Sequence, residues 1–448
     1  MTRLLRRARG VVPALIVSLL MIAVPIAAPP AAAAPGPASA PMWWFDHWNV
    51  PALRAQGATG AGITIAVVDT GIQASIPELA GKVISGADFT GRGGDGRVDY
   101  DRENFGHGTA MASLIAAASG YAGIEGLAPG ATLLPIAVPL SGSGVSATTI
   151  SDALPQAIRW AADHGASIIN MSLGGDRDPA KDALPCPVAH QDAITYAISK
   201  GAIVVAASGN GGQEGSPVEE PGVCLGVISV GSVNSARAVS PFSSRHPYLT
   251  VAAPGQQIAT LSKVPGVAYV GEGTSQATAI ASAAIALIWS KFPTLSGRDI
   301  VTKMLATAED LGPAGRDDEY GYGLIRPDLA IGASVPADAP NSVYEGIDPY
   351  LPVDAPVASI APAPPAGTAA APPGAVQVSA APPAVPGLIV FGAVTAAIGG
   401  LGLALLLLFG LRSRHRRRRR HGRDPPPVTI LAPGPSLAPE PPPSGEPA

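Results

Sequence analysis

Short runs of apolar and β-branched residues alternate, in the middle of the chain, with longer stretches of helical periodicity. Residues 63–68 predict a buried strand, and three later runs predict further strands, the first of them interrupted by polar residues. The further strands are predicted at 166–171, 201–207 and 226–230, and helices at 109–118, 148–164, 190–200, 278–289 and 297–307. This alternation predicts an α/β fold with a mostly parallel sheet between helices, in which ligands bind at the carboxyl ends of the strands.

The amino-terminal segment, residues 1–34, has the three-part layout of a secretory signal peptide. Residues 1–10 carry four arginines, residues 11–28 are mostly apolar, and four alanines end the segment. An uncleaved membrane anchor is the alternative. The short segment 35–42 leaves no room for a pro-domain before Trp43, so we expect the following domain to fold without one.

A second apolar run, residues 387–411, has no charged residue among its 25 positions. At about 1.5 Å per residue it can cross a hydrocarbon core of about 30 Å, so it predicts one carboxyl-terminal transmembrane helix. Eight arginines between Arg412 and Arg423 predict a cytoplasmic tail, 412–448, and a main body on the outer side. A buried core helix rarely lacks a polar face over such a length, and membrane topology explains the arginines more simply than a nucleic-acid site does.

Between the main body and this span, residues 334–386 contain 13 prolines and few charges, which predicts an extended linker. The remaining body, residues 43–333, has the size of one large α/β domain. Residues 43–411 hold 17 lysines and arginines against 30 aspartates and glutamates. This acidic balance argues against nucleic acid as a partner.

Three polar residues stand where such a sheet would carry chemistry. Asp69 directly follows the first predicted strand, His107 lies between two glycines before a helix, and Ser275 lies at the start of an apolar helix. Each alone has a common structural explanation, as a turn residue, a solvated histidine or a helix N-cap. Together they supply the carboxylate, imidazole and hydroxyl that nucleophilic hydrolysis needs, and the chain order Asp, His, Ser is an established one.

The sequence around these residues resembles the signatures of the subtilisin-like serine proteases. The matching segments are VDTG at 68–71, GHGT at 106–109 and GTS at 273–275. The resemblance extends over about residues 43–333 and implies a subtilisin-like three-layer fold. It also implies that Asp69 orients the imidazole, that His107 is the general base and that Ser275 is the nucleophile, with no cofactor.

Two further segments resemble those that bind substrate in this family. The first is formed by Ser172, Leu173, Gly174 and Gly175. Its glycines let an extended peptide approach and pair as an added strand, which favours peptide bonds over small esters as substrate. The second contains Asn210, which resembles the side-chain donor to the oxyanion, with the backbone N–H of Ser275 as the other donor. A glycine turn and a turn asparagine are the alternatives.

Two positions after the nucleophile depart from the family's pattern. Gln276 stands where an apolar residue is common, and Ala279 stands where a proline is usual. Neither residue supplies chemistry. A shifted helix would nevertheless reduce activity, because catalytic groups act only when held to within about 0.5 Å.

Cys186 and Cys224 are the two cysteines of the chain, and in a secreted body we expect them to pair, with two free buried thiols as the alternative. An acidic loop precedes His107. Its members are Asp95, Asp99, Asp101 and Glu103. Their spacing does not match a calcium loop of the EF-hand type, so we interpret them as a solvated charge cluster and expect no metal.

The order of segments resembles a narrower group, the mycosins, which are membrane-anchored subtilases associated with type VII secretion. Here an aromatic segment, 43–48, begins the domain, and the proline-rich linker, one span and a basic tail follow it. The resemblance implies a single-pass protein of the cell membrane with an extracytoplasmic protease domain. Secreted proteins would be its substrates and components of the type VII secretion complex its partners. A scaffold of that complex and a degradative surface protease are the alternatives.

Overall fold

The computed structural model of the chain describes residues 42–101, 105–140, 147–177, 184–336 and 338–351. The predicted signal peptide, transmembrane helix and tail lie outside these residues, as does most of the predicted linker. Across the described ranges, no helix combines the length and the apolar character needed to cross a bilayer.

A parallel sheet is the centre of the described structure. The strands are β1 (Thr64–Asp69), β2 (Ala87–Asp88), β3 (Thr132–Ala137), β4 (Ile168–Met171), β5 (Gly175–Arg177), β6 (Ile203–Ala207), β7 (Val218–Glu220), β8 (Val227–Val233), β9 (Val251–Pro254), β10 (Ile258–Leu261) and β11 (Ala268–Gly271). The central sheet has the order β2-β3-β1-β4-β6-β8-β9, and each of its pairings is parallel. β5 pairs with β7, and β10 with β11, in two antiparallel ribbons.

Helices cover this sheet on both faces. They are α1 (Trp43–His47), α2 (Val50–Ala55), α3 (His107–Ala116), α4 (Ala147–Asp163), α5 (Val188–Ser199), α6 (Thr274–Lys291), α7 (Gly297–Ala306), α8 (Pro327–Gly332) and α9 (Ser342–Glu345). The helices α3 and α6 pack in one core cluster, whereas α4 and α5 pack in the other. The predicted α/β fold with a mostly parallel sheet between helices is therefore confirmed.

The side chains of β1 show why both faces need a cover. Ile65 and Val67 belong to the core cluster of α3 and α6, and Ala66 and Val68 belong to that of α4 and α5. All four residues are fully buried. Successive side chains of a strand point to opposite faces, so a strand buried on both sides reads as one continuous apolar run.

The helix α6 runs through the core cluster that contains α3. All of its residues from 276 to 289 are buried, and a helix that is apolar on every side belongs in the interior. Gln276 and Ala279, the two departures from the family's pattern, are both buried within it, and the helix continues unbroken past them. The first turn of α6, which carries Ser275, is therefore held by the whole core.

The predicted strands and helices are present with ends shifted by a few residues, but three strands of the central sheet, the short β2 together with β3 and β9, were not predicted. β3 contains Pro135, and a proline usually argues against a strand inside a sheet because it lacks the N–H donor. β3 nevertheless pairs with β1 on one side, where Pro135 lies opposite Val67, and with the two-residue β2 on the other. β9 contains only one β-branched residue, Val251.

The folded part continues beyond the predicted domain boundary at residue 333. Residues 338–351, which fall within the predicted linker, include α9, and their side chains Tyr344 and Ile347 are 2% and 0% exposed. Arg298 of α7 lies 4.5 Å above the Tyr344 ring and pairs with Asp348. A few apolar residues are therefore sufficient to pack the start of this proline-rich segment against the domain. The average composition of the segment did not indicate this packing.

This docking predicts a measurable loss of stability when the buried side chains are shortened. Tyr344→Ala and Ile347→Ala each remove a buried side chain, so we expect each to lower the free energy of unfolding by about 2–4 kcal/mol. Chemical denaturation of the full chain measures this change. Tyr350→Ala, at a side chain that is 69% exposed, is the matched control. Equal stability of all three variants would show that the segment does not pack on the domain.

Candidate active site

Asp69 is the last residue of β1, and its carboxylate is completely buried. Its Oδ1 accepts the backbone N–H of Thr70 at 2.7 Å, and Oδ1 and Oδ2 lie 2.8 and 2.9 Å from Nδ1 of His107. Because an ionised carboxylate only accepts hydrogen bonds, Nδ1 carries the proton of the neutral imidazole. The other ring nitrogen, Nε2, is then free to accept a proton.

His107 is the first residue of α3. The residue before it, Gly106, has a φ of 72°, and a Cβ at that position would lie 2.6 Å from Cβ of Lys263, so only glycine fits there. The backbone N–H of His107 donates to Asp101 Oδ2 at 3.0 Å. Burial disfavours the charged imidazolium, but the charge and hydrogen bond of Asp69 and the charges of Asp99 and Asp101 outweigh it and raise the pKa of His107.

Asp99 joins the segment after Asp69 to the helix that begins with His107. Its Oδ1 accepts the hydroxyl of Thr70 at 2.8 Å, and its Oδ2 accepts the N–H and the hydroxyl of Thr109 at 2.9 and 2.5 Å. Thr70 Oγ1 in turn accepts the N–H of Gly108 at 3.0 Å. Burial raises the pKa of Asp99, although these hydrogen bonds oppose the rise. Asp99 therefore positions both partners of the carboxylate–imidazole pair.

The interpretation of the acidic loop as one solvated cluster was wrong. Asp99 is 5% exposed, Asp101 bonds the backbone of His107, and Asp95 forms a separate ion pair with Arg97. Glu103 lies outside the described residues. Spacing along the chain could not distinguish a buried hydrogen-bonding carboxylate from a solvated one. Among the described residues, no group of three or more His, Cys, Asp or Glu side chains is placed to hold a metal ion.

Ser275 lies in the first turn of α6 and exchanges hydrogen bonds with the end of β4. Its Oγ donates to the carbonyl of Ser172 at 3.0 Å, and Ser172 Oγ donates to the carbonyl of Ser275 at 2.8 Å. Asn170 supports this exchange, since its Nδ2 donates to Ser172 Oγ at 3.1 Å and its Oδ1 accepts from Ser282 of α6 at 3.0 Å. The role of Asn170 was missed, and its signal was the polar residue that interrupts the predicted strand 166–171.

The register of the sheet brings the two halves of the site together. β1 and β4 are parallel neighbours with Val67 opposite Asn170, so Asp69 and Ser172 leave the same edge on adjacent strands, which are about 4.8 Å apart. His107 contacts the first of these residues and Ser275 contacts the second. In this structure the Ser275 hydroxyl bonds the Ser172 carbonyl, and a rotation about its Cα–Cβ bond is needed to turn it toward the imidazole.

Asn210 follows the strand β6 and lies against the start of α6. Its Oδ1 accepts the N–H and the hydroxyl of Thr274 at 2.8 and 3.1 Å. With the oxygen held in this way, the amide NH₂ is the side chain's remaining hydrogen-bonding group, and the residue is exposed. The amino end of a helix is also electrically positive. Both features favour a negative charge next to Ser275.

A cavity of about 460 Å³ opens beside Ser275 and Asn210. Leu173, Gly174 and Gly175, the predicted cleft segment, form part of its wall, whereas Ser172 supports Ser275 from behind through the hydrogen bonds described above. The exposed backbone of Gly174 and Gly175 leaves room for an extended chain to approach. Of the predicted site residues, Leu173, Gly174, Gly175, Asn210 and Ser275 line this cavity, whereas Asp69, His107 and Ser172 are not part of its wall.

The predicted disulfide is formed between Cys186 and Cys224. It joins the segment before α5 to the segment after β7, and two further links lie beside it. His190 Nδ1 lies 3.2 Å from Glu220, and Gln191 exchanges hydrogen bonds of 2.9 and 3.0 Å with the backbone of Leu225. These links hold the chain that forms one side of the cavity.

A buried carboxylate that fixes an imidazole, and a serine at the start of a helix next to an open cleft, are the groups that a serine hydrolase uses. The comparisons specify the family. The model of the Subtilase family matches residues 60–323, and the chain belongs to this family. It is a subtilisin-like serine endopeptidase.

Relatives and solved structures agree with this assignment. Subtilisin DY of Bacillus licheniformis is 37% identical over 282 residues, which cover 62% of this chain and 94% of that protein. The MycP3 protease of the type VII (ESX-3) secretion system is 31% identical with a TM-score of 0.56, and the match covers 66% of this chain and 89% of that one. MycP1 of Mycobacterium smegmatis is 26% identical with a TM-score of 0.57, covering 68% and 90%. The chain is therefore related to the mycosins.

The raised pKa of His107 predicts the pH dependence of activity. A base with a raised pKa stays protonated, and inactive, to a higher pH, so we expect kcat/KM for an uncharged peptide to fall with decreasing pH around a midpoint above about 6.5. Asp99→Asn removes one of the charges that raise this pKa, which moves the midpoint to lower pH. The amide has one acceptor oxygen fewer than the carboxylate, so a buried donor that now bonds Asp99 is left without an acceptor. We expect this loss to lower the free energy of unfolding by about 1–3 kcal/mol.

Profiles of kcat/KM against pH test this expectation, with denaturation curves for stability. Asp95→Asn, in the separate ion pair with Arg97, is the control and should leave the midpoint in place. A wild-type midpoint at or below 6.5 would contradict the assigned environment of His107. If the midpoint is unchanged in Asp99→Asn, the charge of Asp99 does not affect the pKa of His107, and the residue has only a structural role.

The disulfide closes a loop that contains Asn210, and its cysteines are 38 positions apart. In the chain-entropy account such a link stabilises by about 4 kcal/mol. Because it restrains one side of the cavity, we expect reduction to lower kcat/KM at temperatures where near-ultraviolet circular dichroism still reports a folded domain. The variant with both cysteines replaced by serine should show the same loss and no further response to reductant. Activity and fold lost at the same temperature would exclude the local effect.

Proposed function

We propose that the chain hydrolyses peptide bonds of secreted proteins through Asp69, His107 and Ser275, with Asn210 as the side-chain donor to the oxyanion. The observation that carries this proposal is the Asp69–His107 pair, with its 2.8 Å contact, at the end of β1. The strand next to β1 is β4, whose end contacts Ser275 through Ser172. This arrangement supports His107 as the base for Ser275. The exposed glycine backbone beside Ser275 supports an extended peptide as substrate.

The proposed reaction starts with the rotation of the Ser275 hydroxyl from the Ser172 carbonyl toward Nε2 of His107. The imidazole removes the hydroxyl proton while Oγ attacks the carbonyl carbon of the substrate. The negative charge that forms on the carbonyl oxygen is stabilised by the Asn210 amide and the Ser275 N–H. The imidazolium, stabilised by Asp69, then protonates the leaving amine as the peptide C–N bond breaks. His107 next removes a proton from water, whose oxygen attacks the acyl carbon, and the same proton passes to Oγ of Ser275 as the ester bond breaks.

We further propose that this protease acts at the cell membrane. The proposal combines a signal peptide at 1–34, the segment 35–42, a protease domain from 43, a linker up to 386, and a single span at 387–411 with a cytoplasmic tail. The long uncharged run and the arginines after it support this topology. The similarity to MycP3 and MycP1, which are proteases of type VII secretion systems, supports substrates that are secreted proteins and partners in the secretion membrane complex.

Ser275→Ala tests the enzymatic proposal. We expect loss of peptide cleavage, and of labelling by a fluorophosphonate probe, in a protein that still folds, because the substitution removes the nucleophilic hydroxyl and a single hydrogen bond, that to the Ser172 carbonyl. Ser235→Ala, in an exposed turn, is the control and should keep both activities. A folded wild-type protein that the probe does not label at Ser275 would overturn the proposal.

Secretion assays in the native host separate catalysis from a scaffold role. If processing of secreted proteins stops in Ser275→Ala while secretion itself persists, and deletion of the whole gene stops secretion, both roles coexist. Digestion of unrelated proteins by the purified enzyme would instead support a degradative protease. A protease domain accessible from the cytoplasm would contradict the proposed topology.

A further inference from the structure

The cavity beside Ser275 is strongly acidic. Asp176, Glu214 and Glu219 all line it, and no lysine, arginine or histidine is among the described residues of its wall. The apolar part of the wall includes Leu173 and Ala207. The wall of the cavity thus has both apolar side chains and carboxylates. Its volume of about 460 Å³ is sufficient for one long side chain.

Glu219 is built into this cavity between two glycines. A Cβ at Gly174 would collide with one oxygen of its carboxylate, and a Cβ at Gly209 would collide with the other. Gly174 follows β4 and Gly209 follows β6, so the carboxylate lies between the two chain segments that lead to the cleft and to Asn210. Any larger residue at either glycine would displace it.

The pairing of β5 with β7 adds a second negative charge. The register places Asp176 directly opposite Glu219, and like charges in opposed positions destabilise a strand pair. Burial and the charge of Asp176 raise the pKa of Glu219 to about 7, against a hydrogen bond from the Asn210 backbone. The neighbouring Glu220 has His190 at 3.2 Å and Arg177 at 3.9 Å. Within the described residues, no such cation pairs with Glu219 or Asp176.

We infer that this cavity receives the side chain of the substrate residue on the amino side of the cleaved bond, and that Glu219 selects lysine or arginine there. The inference rests on the proposed function, since it assigns the specificity of the same site. A long basic side chain lays its methylenes along Leu173 and Ala207 and brings its cation to Glu219 and Asp176. A large apolar side chain leaves these carboxylates unpaired, and an acidic one is repelled.

Peptide substrates that differ only in this residue test the inference. We expect kcat/KM to be about 10- to 100-fold higher for arginine or lysine than for leucine, and lowest for glutamate. Glu219→Gln keeps the shape of the side chain and should remove most of the preference. We expect this mainly because kcat/KM falls for the arginine peptide, with little change for the leucine peptide. Asp176→Asn, on an exposed strand, should reduce it less. Glu345→Gln, on the exposed face of α9, is the matched control and should keep the wild-type ratio.

The arginine-to-leucine ratio should also depend on pH. The groups that face Glu219 are Asp176 of β5, Glu214 of the neighbouring turn, and Tyr248, whose hydroxyl accepts the Glu219 N–H at 3.1 Å. Only the ionised carboxylate attracts the substrate cation, so the ratio should rise between about pH 6 and 8. The titration of His107 affects both substrates equally and cancels in the ratio. In Glu219→Gln the ratio should be flat across this range.

Peptidyl phosphonates with arginine or leucine in the same position separate the possible failures. Faster labelling of Ser275 by the arginine compound supports the inference even where model peptides are cut slowly. Labelling of Ser275 with equal rates for both compounds, or a ratio that Glu219→Gln does not change, overturns the specificity and leaves the protease assignment intact. No labelling of folded wild-type protein by either compound overturns both.

Discussion

The strands β1 and β4 lie next to each other and run in parallel, with Val67 opposite Asn170. This pairing brings the chain segments that follow the two strands out of the sheet side by side, with Asp69 on one and Ser172 on the other. The first turns of the helices α3 and α6 contact these segments, His107 at Asp69 and Ser275 at Ser172. The two helices also pack against each other in the same core cluster. His107 and Ser275 are 168 positions apart in the sequence. The pairing of β1 with β4 nevertheless brings both to the carboxyl-terminal edge of the sheet.

Two buried carboxylates, those of Asp69 and Asp99, lie at this edge of the sheet. Removal of an ionised carboxylate from water is costly unless hydrogen bonds and opposite charges compensate it. Asp69 has the Thr70 N–H and the His107 ring, and Asp99 has the hydroxyls of Thr70 and Thr109 together with a backbone N–H. Both carboxylates hold the imidazole in place and favour its charged form. The same contacts that stabilise the fold would thus prepare His107 for the proton transfer proposed above.

The sequence predicted the parts of this structure that have a local pattern. The buried strand before Asp69, the apolar helix after Ser275 and the glycines around His107 each follow from periodicity or from a backbone conformation. The ribbon of β5 and β7 has no such pattern, because GDR and VEE contain mostly charged residues or glycine. These segments pair only because the segments after β4 and β6 are already neighbours. The roles of Asp99 and Glu219 likewise depend on contacts made across the sheet and not on neighbours in sequence.

The ribbon also explains why the cross-links of α5 lie where they do. The two carboxylates of Asp176 and Glu219 lie opposite each other and destabilise the pairing of β5 with β7. This ribbon has only three paired positions. Directly after β7, the Cys186–Cys224 bond, the His190–Glu220 contact and the Gln191–Leu225 hydrogen bonds fix the chain to α5. These links therefore hold in place the segment that follows Glu219. Asp176 and Glu219 have no cationic partner among the described residues, and a cation supplied by a substrate would compensate their charge.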